Sequence, residues 1–149
     1  MRPIETGTAE LGDVDGLRGA LAHGATAVVR RSGPERGLMT PLYALDAEES
    51  FHVLAGSITV FIGARSVRLG AGDAVSAPRL AERAVRIESD GASWLSASRV
   101  RSAARYDDFG RAVGAATRAW ATPEDEATVR AIAGENGIRI LGAPGALPS

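Results

Sequence analysis

Cysteine is missing from all 149 residues, which excludes disulfides, thiolate nucleophiles and sulfur-ligated metals. Lysine is missing too: the 17 cationic side chains are all arginine. Schiff-base chemistry and a lysine general base are thereby ruled out. Histidine is scarce, with only His23 and His52. No charge of one sign dominates, the formal net charge being -1. Neither a nucleic-acid footprint nor a polybasic membrane patch is therefore expected. Long apolar runs are absent as well. No apolar run follows Met1-Arg2-Pro3-Ile4-Glu5, so no signal peptide or membrane span is expected and a cytoplasmic location is.

What is present suits a globular chain: 45% hydrophobic residues and enough length for one domain, residues 1–149, with a real core. The most informative stretch runs from Glu49 to Arg83. Phe51, Val53 and then Ile58, Val60 and Ile62 alternate with their neighbours on either side of Gly56, the period of strands rather than helices. Gly63-Ala64-Arg65-Ser66 reads as a hairpin, and Gly70-Ala71-Gly72-Asp73 as a tight turn. Strands are also expected over Ala25–Arg31, Gly37–Leu45, Arg83–Glu88 and Trp94–Val100. Pro41 suggests an edge or a bulge. This succession of short strands predicts a mainly β fold, an antiparallel barrel of two packed sheets over about residues 17–100.

Beyond residue 100 the period changes. Phe109, Val113, Thr117 and Trp120 fall at helical spacing, so a helix is expected over roughly 106–120. Thr122-Pro123-Glu124-Asp125 carries the signals of a second helix start, which places the two C-terminal helices within about 106–136. Ile138 to Leu141 should be a short extended piece.

The central stretch resembles the two sequence motifs of the cupin superfamily. Glu49, Phe51, Val53, Leu54 and Gly56 match the end of the first motif, and Gly72, Asp73, Val75 and Pro78 match the second. The chain is similar to single-domain, quercetin-dioxygenase-like cupins over most of its length, the tail Gly137 to Pro144 included. That resemblance implies a jelly-roll β-barrel with two C-terminal helices outside it. It also implies one divalent metal, held by a His-x-His pair, a glutamate and a later histidine.

Carried over residue by residue, that ligand set is largely gone. Glu49 is retained. The histidine pair falls on Tyr43 and Leu45, or on Leu42 and Ala44, according to the spacing. The last histidine falls on Arg83, whose guanidinium has no lone pair to offer a metal. The second motif's glycine is replaced by Leu80. No cofactor and no metal are therefore expected.

Glu49 and Arg83 should both face the interior. They form either a structural ion pair or a site in which Arg83 anchors a ligand oxygen, Glu49 orients it or acts as a base, and Tyr43 donates a proton. Leu45, Phe51, Val53, Val60, Val85 and Trp94 are the expected pocket lining. The leading expectation is a metal-independent barrel binding an apolar, oxygen-bearing metabolite in bacterial secondary metabolism, as a cyclase, isomerase or lyase. Its partners would be that small molecule and a second copy of the chain in a homodimer. One alternative is a metal-dependent quercetinase-like dioxygenase with unusual ligands such as His52. Another is a non-catalytic binding or assembly protein. Alternation turns His52 away from the Glu49 face, and His23 reads as solvated.

Overall fold

The computed structural model describes residues 5–7, 27–99, 123–135 and 138–148. In chain order these residues form β1 (Glu5–Gly7), β2 (Ala27–Gly33), β3 (Leu42–Leu45), β4 (Glu49–Ala55), β5 (Ser57–Ile62) and β6 (Arg65–Gly70). They continue with β7 (Ala74–Ala77), β8 (Arg83–Ile87), β9 (Ala92–Ser98), the helix α1 (Pro123–Glu135) and β10 (Ile138–Gly142). Two five-stranded sheets result, in the orders β1-β2-β9-β4-β7 and β10-β3-β8-β5-β6, and every pairing is antiparallel. The fold is mainly β, a jelly-roll arrangement of two facing sheets.

Glycine and aspartate set the places where the chain changes direction. Gly56 carries the chain from β4 in one sheet to β5 in the other with a φ of 70°. A Cβ there would lie 2.5 Å from Ser89 Oγ and 2.9 Å from the Ala92 Cα, so no larger residue fits. In the Gly70–Asp73 turn, the Asp73 carboxylate accepts the Gly70 N–H at 2.9 Å. The same turn docks on β4 through the Gly72 N–H to the Val53 carbonyl and the Val53 N–H to the Asp73 carbonyl.

Cross-strand register decides which residues face inward. In the first sheet the inner rows are Ser98–Glu49–Ala77, then Val29–Ser96–Phe51–Val75, then Arg31–Trp94–Val53. In the second they are Ile140–Tyr43–Arg83–Ile62, then Val85–Val60–Val67, then Ile87–Ile58–Leu69. Phe51, Val53, Val60, Val85 and Trp94 pack into one large apolar cluster with Ile58, Ile87 and their neighbours. A smaller cluster joins Val29, Tyr43, Leu45, Ile138 and Ile140 to Ala133 of α1.

Several expected boundaries change. β1 and β10 lie outside residues 17–100, because each finds an open edge to pair with: β1 along β2, and β10 along β3. The piece expected as a bare extension is thus a strand of the second sheet. The strand expected over Gly37–Leu45 shrinks to Leu42–Leu45, starting directly after Pro41, with only an isolated bridge between Met39 and Arg86 before it. α1 begins at Pro123, as its start signals imply, while the helix expected over 106–120, with Trp120, and the turn carrying His23 lie outside the described residues. Among the described residues no helix is long and apolar enough to cross a membrane.

Candidate functional site

β3 contributes Tyr43, β8 contributes Arg83, and β4 of the facing sheet contributes Glu49; all three side chains are fully buried. Tyr43 and Arg83 are direct cross-strand neighbours, which puts the phenol and the guanidinium side by side on the inner face. The Tyr43 hydroxyl donates to Glu49 Oε1 at 2.7 Å, and Arg83 Nη1 approaches the same oxygen at 3.4 Å. The remaining Arg83 donors are held by the loop just before β8: Nε donates to the Ala81 carbonyl at 3.0 Å and Nη2 to the Pro78 carbonyl at 2.6 Å. That loop owes its shape to Leu80, whose φ of 66° is the left-handed conformation ordinarily kept for glycine. Its backbone N–H also ties the loop to β3 through the Leu45 carbonyl.

Burial and the neighbouring Glu49 carboxylate push the Tyr43 phenol well above its ordinary pKa, while the charges of Arg31 and Arg83 pull the other way. Tyr43 therefore stays a neutral O–H donor across the physiological range.

Arg31 is the residue that sequence reasoning missed. It is only 1% exposed, faces inward opposite Trp94, and is close enough to act electrostatically on Tyr43. Nothing in Arg30-Arg31 says which of two adjacent arginines turns inward; only the pairing of β2 with β9 does. Ser96 and Trp94 form the second unforeseen feature. Both are fully buried on the inner face of β9, yet among the described residues neither Ser96 Oγ nor Trp94 Nε1 has a hydrogen-bond partner. Leaving such a donor unsatisfied costs about 1–3 kcal/mol each.

The other expected residues divide. Phe51, Val53, Val60, Val85 and Trp94 do come together, packed against one another, whereas Leu45 lies in the separate cluster beneath α1. His52 points to the opposite face from Glu49, bonded to Ser50 at 2.9 Å, so it cannot share a ligand set with that carboxylate.

The motif residues meet in space. Glu49 of the first motif lies directly across from Ala77, one residue before Pro78 of the second, and the Gly-Asp turn closes onto Val53. Two facing antiparallel sheets in jelly-roll order are the architecture that the cupin resemblance implies. Of the two possible registers for the cupin histidine pair, the structure turns Tyr43 and Leu45 inward. A divalent metal does not fit this centre. One carboxylate is the whole donor set, a guanidinium stands beside it, and no group of three His, Asp or Glu side chains gathers among the described residues.

No protein-family profile and no curated protein sequence matches the chain. Among solved structures it is similar to the DMSP lyase DddQ from Ruegeria pomeroyi, at 29% identity over 50% of this chain and 38% of that one, with a TM-score of 0.45. An RmlC-like cupin from Shewanella frigidimarina is 19% identical over 50% of this chain and 67% of that one, TM-score 0.45. The salicylate 1,2-dioxygenase from Pseudaminobacter salicylatoxidans is 16% identical over 47% of this chain and 20% of its own, TM-score 0.43. Each likeness is partial and carries no chemistry across.

Proposed function

We propose that this chain is a metal-independent cupin that binds an apolar, oxygen-bearing small molecule and acts on it as an isomerase, cyclase or lyase. The observation that carries this reading is the single Glu49 oxygen shared by the Tyr43 hydroxyl and the Arg83 guanidinium inside the barrel. A buried carboxylate beside a neutral phenol suits proton abstraction next to a carbonyl. In that step Glu49 takes a proton from the carbon and the bonding electrons move into an enolate. As Glu49 takes up that proton, the Tyr43 O–H turns from the carboxylate to the enolate oxygen, which the positive charge of Arg83 also stabilises. Return of the proton to a different carbon completes an isomerisation; loss of a group from the next carbon completes an elimination. Because Tyr43 resists ionisation, it stabilises the oxygen without surrendering its own proton.

The proposal extends to a cytoplasmic bacterial protein of secondary metabolism that works as a homodimer. The outer edges of the two sheets, β1, β7, β10 and β6, offer strands through which a second copy pairs. A monomer by light scattering at micromolar concentration would count against the dimer.

Deuterium exchange tests the chemistry. Cyclic and aromatic ketones incubated with the protein in heavy water should gain deuterium next to the carbonyl faster than in buffer, and Glu49→Gln should return them to the buffer rate. Exchange that is indifferent to Glu49 would end this reading. A second reading, a non-catalytic barrel braced by the ion pair, is favoured by one observation: Tyr43, Glu49 and Arg83 are sealed from solvent. It expects no exchange at all and a large loss of stability on breaking the pair.

A further inference from the structure

The inner face of β9 carries two polar side chains whose donors bond nothing among the described residues. Trp94 and Ser96 stand two residues apart, so both project from the same side of the strand, and both are 0% exposed. Among the described residues, Trp94 Nε1 and Ser96 Oγ nevertheless have no hydrogen-bond partner. Buried indole N–H and serine O–H groups almost always find an acceptor, so two neighbouring orphans are an exception that asks for one.

The surroundings say what kind of acceptor it is. Across β2 and β9, Trp94 pairs with Arg31, a buried arginine whose charge reaches as far as Tyr43. Across the β4–β9 pair, Val53 lies opposite Trp94 and Phe51 opposite Ser96, and Val29 of β2 flanks Ser96 on the other side. Two hydrogen-bond donors side by side on one strand face suit the paired oxygens of a carboxylate, while Phe51, Val53 and Val29 favour an apolar body behind it.

We propose that Trp94 Nε1–H and Ser96 Oγ–H form a carboxylate-binding subsite within the barrel, taking the acid group of a small, otherwise apolar molecule. This deepens the small-molecule reading above and rests on it. In that arrangement the carboxylate sits on β9, and the remainder of the molecule extends toward Glu49 and Tyr43.

Isothermal calorimetry with benzoate and hexanoate, alongside the neutral methyl benzoate and toluene, tests it on wild type, Trp94→Phe and Ser96→Ala. The two acids should bind the wild type, and each substitution should weaken them roughly tenfold or more. Methyl benzoate and toluene should bind less tightly than the acids and respond weakly to the substitutions. Ligand-free Ser96→Ala should melt at or above the wild-type temperature, because its hydroxyl bonds nothing among the described residues, whereas Trp94→Phe also removes packing from the apolar cluster and is judged on acid affinity alone. Melting temperatures that fall while acid affinity is unchanged would assign the two side chains a purely structural role and overturn the subsite. Binding of the neutral probes without the acids would overturn the subsite and leave the small-molecule reading standing. Failure of all four probes would overturn both.

Discussion

Tyr43 and Arg83 face each other across β3 and β8, and both converge on the same oxygen of Glu49 from the opposite sheet, at 2.7 and 3.4 Å. The contact links the two sheets through charge at a point where a cupin resemblance implies a metal. One guanidinium and one carboxylate offset part of each other's burial cost, and each gains further hydrogen bonding, Glu49 from the Tyr43 hydroxyl and Arg83 to the Ala81 and Pro78 carbonyls.

Breaking that pair should be expensive. Glu49→Gln leaves the Arg83 charge buried without its counter-ion, which should cost roughly 3–5 kcal/mol in urea denaturation. Replacing both partners, as Glu49→Gln with Arg83→Met, should cost less than the sum of the single changes. Additive losses would mean that the two side chains do not act as a unit.

Alkaline pH should destabilise the fold through Tyr43. Its folded pKa lies above the unfolded value of about 10. The folded state therefore binds the phenolic proton more tightly, and the stability this contributes is fully present below the unfolded pKa. It is lost as pH rises through the folded value. Unfolding curves above pH ~10 should show this decline in wild type and a shallower one in Tyr43→Phe. Parallel curves for the two proteins would contradict it.

Leu80 holds a left-handed conformation in the loop whose carbonyls bind Arg83, and its side chain is exposed. Glycine relieves the strain and adds entropy to the unfolded chain, and the first effect should be the larger. Leu80→Gly should raise stability by about 0.5–1 kcal/mol. A loss of stability instead would show that the Leu80 side chain contributes packing.

Gly56→Ala should do the reverse. It combines a left-handed backbone with a Cβ pressed against Ser89 Oγ and the Ala92 backbone. A loss of roughly 2 kcal/mol or more is expected, read as a lower denaturation midpoint.

Metal analysis offers an independent check. Elemental measurement on purified protein should find no stoichiometric iron, nickel, manganese or zinc, since Glu49 is the only retained member of the implied ligand set. A stoichiometric metal that survives purification and is lost in Glu49→Ala would contradict this account.

Period-two alternation from Phe51 to Ile62, together with the turn residues Gly56, Gly63 and Gly72, made the β fold legible from local chemistry, because a strand's two faces and a turn's backbone angles are local properties. Alternation also turned His52 away from Glu49, as the register shows. Which faces meet is not local. Arg31 became an interior charge only when β2 paired with β9, and Ile138–Gly142 became a strand only on finding the open edge of β3. The orphaned donors of Trp94 and Ser96 could not be foreseen either, because a side chain's hydrogen-bond partners are set by residues far away in sequence. The sequence by itself determined the central strands, the turns and the replacement of ligand positions by Tyr43, Leu45 and Arg83. Tertiary structure alone decided that a phenol, a carboxylate and a guanidinium from three strands share one oxygen, since that contact exists only when two sheets close face to face.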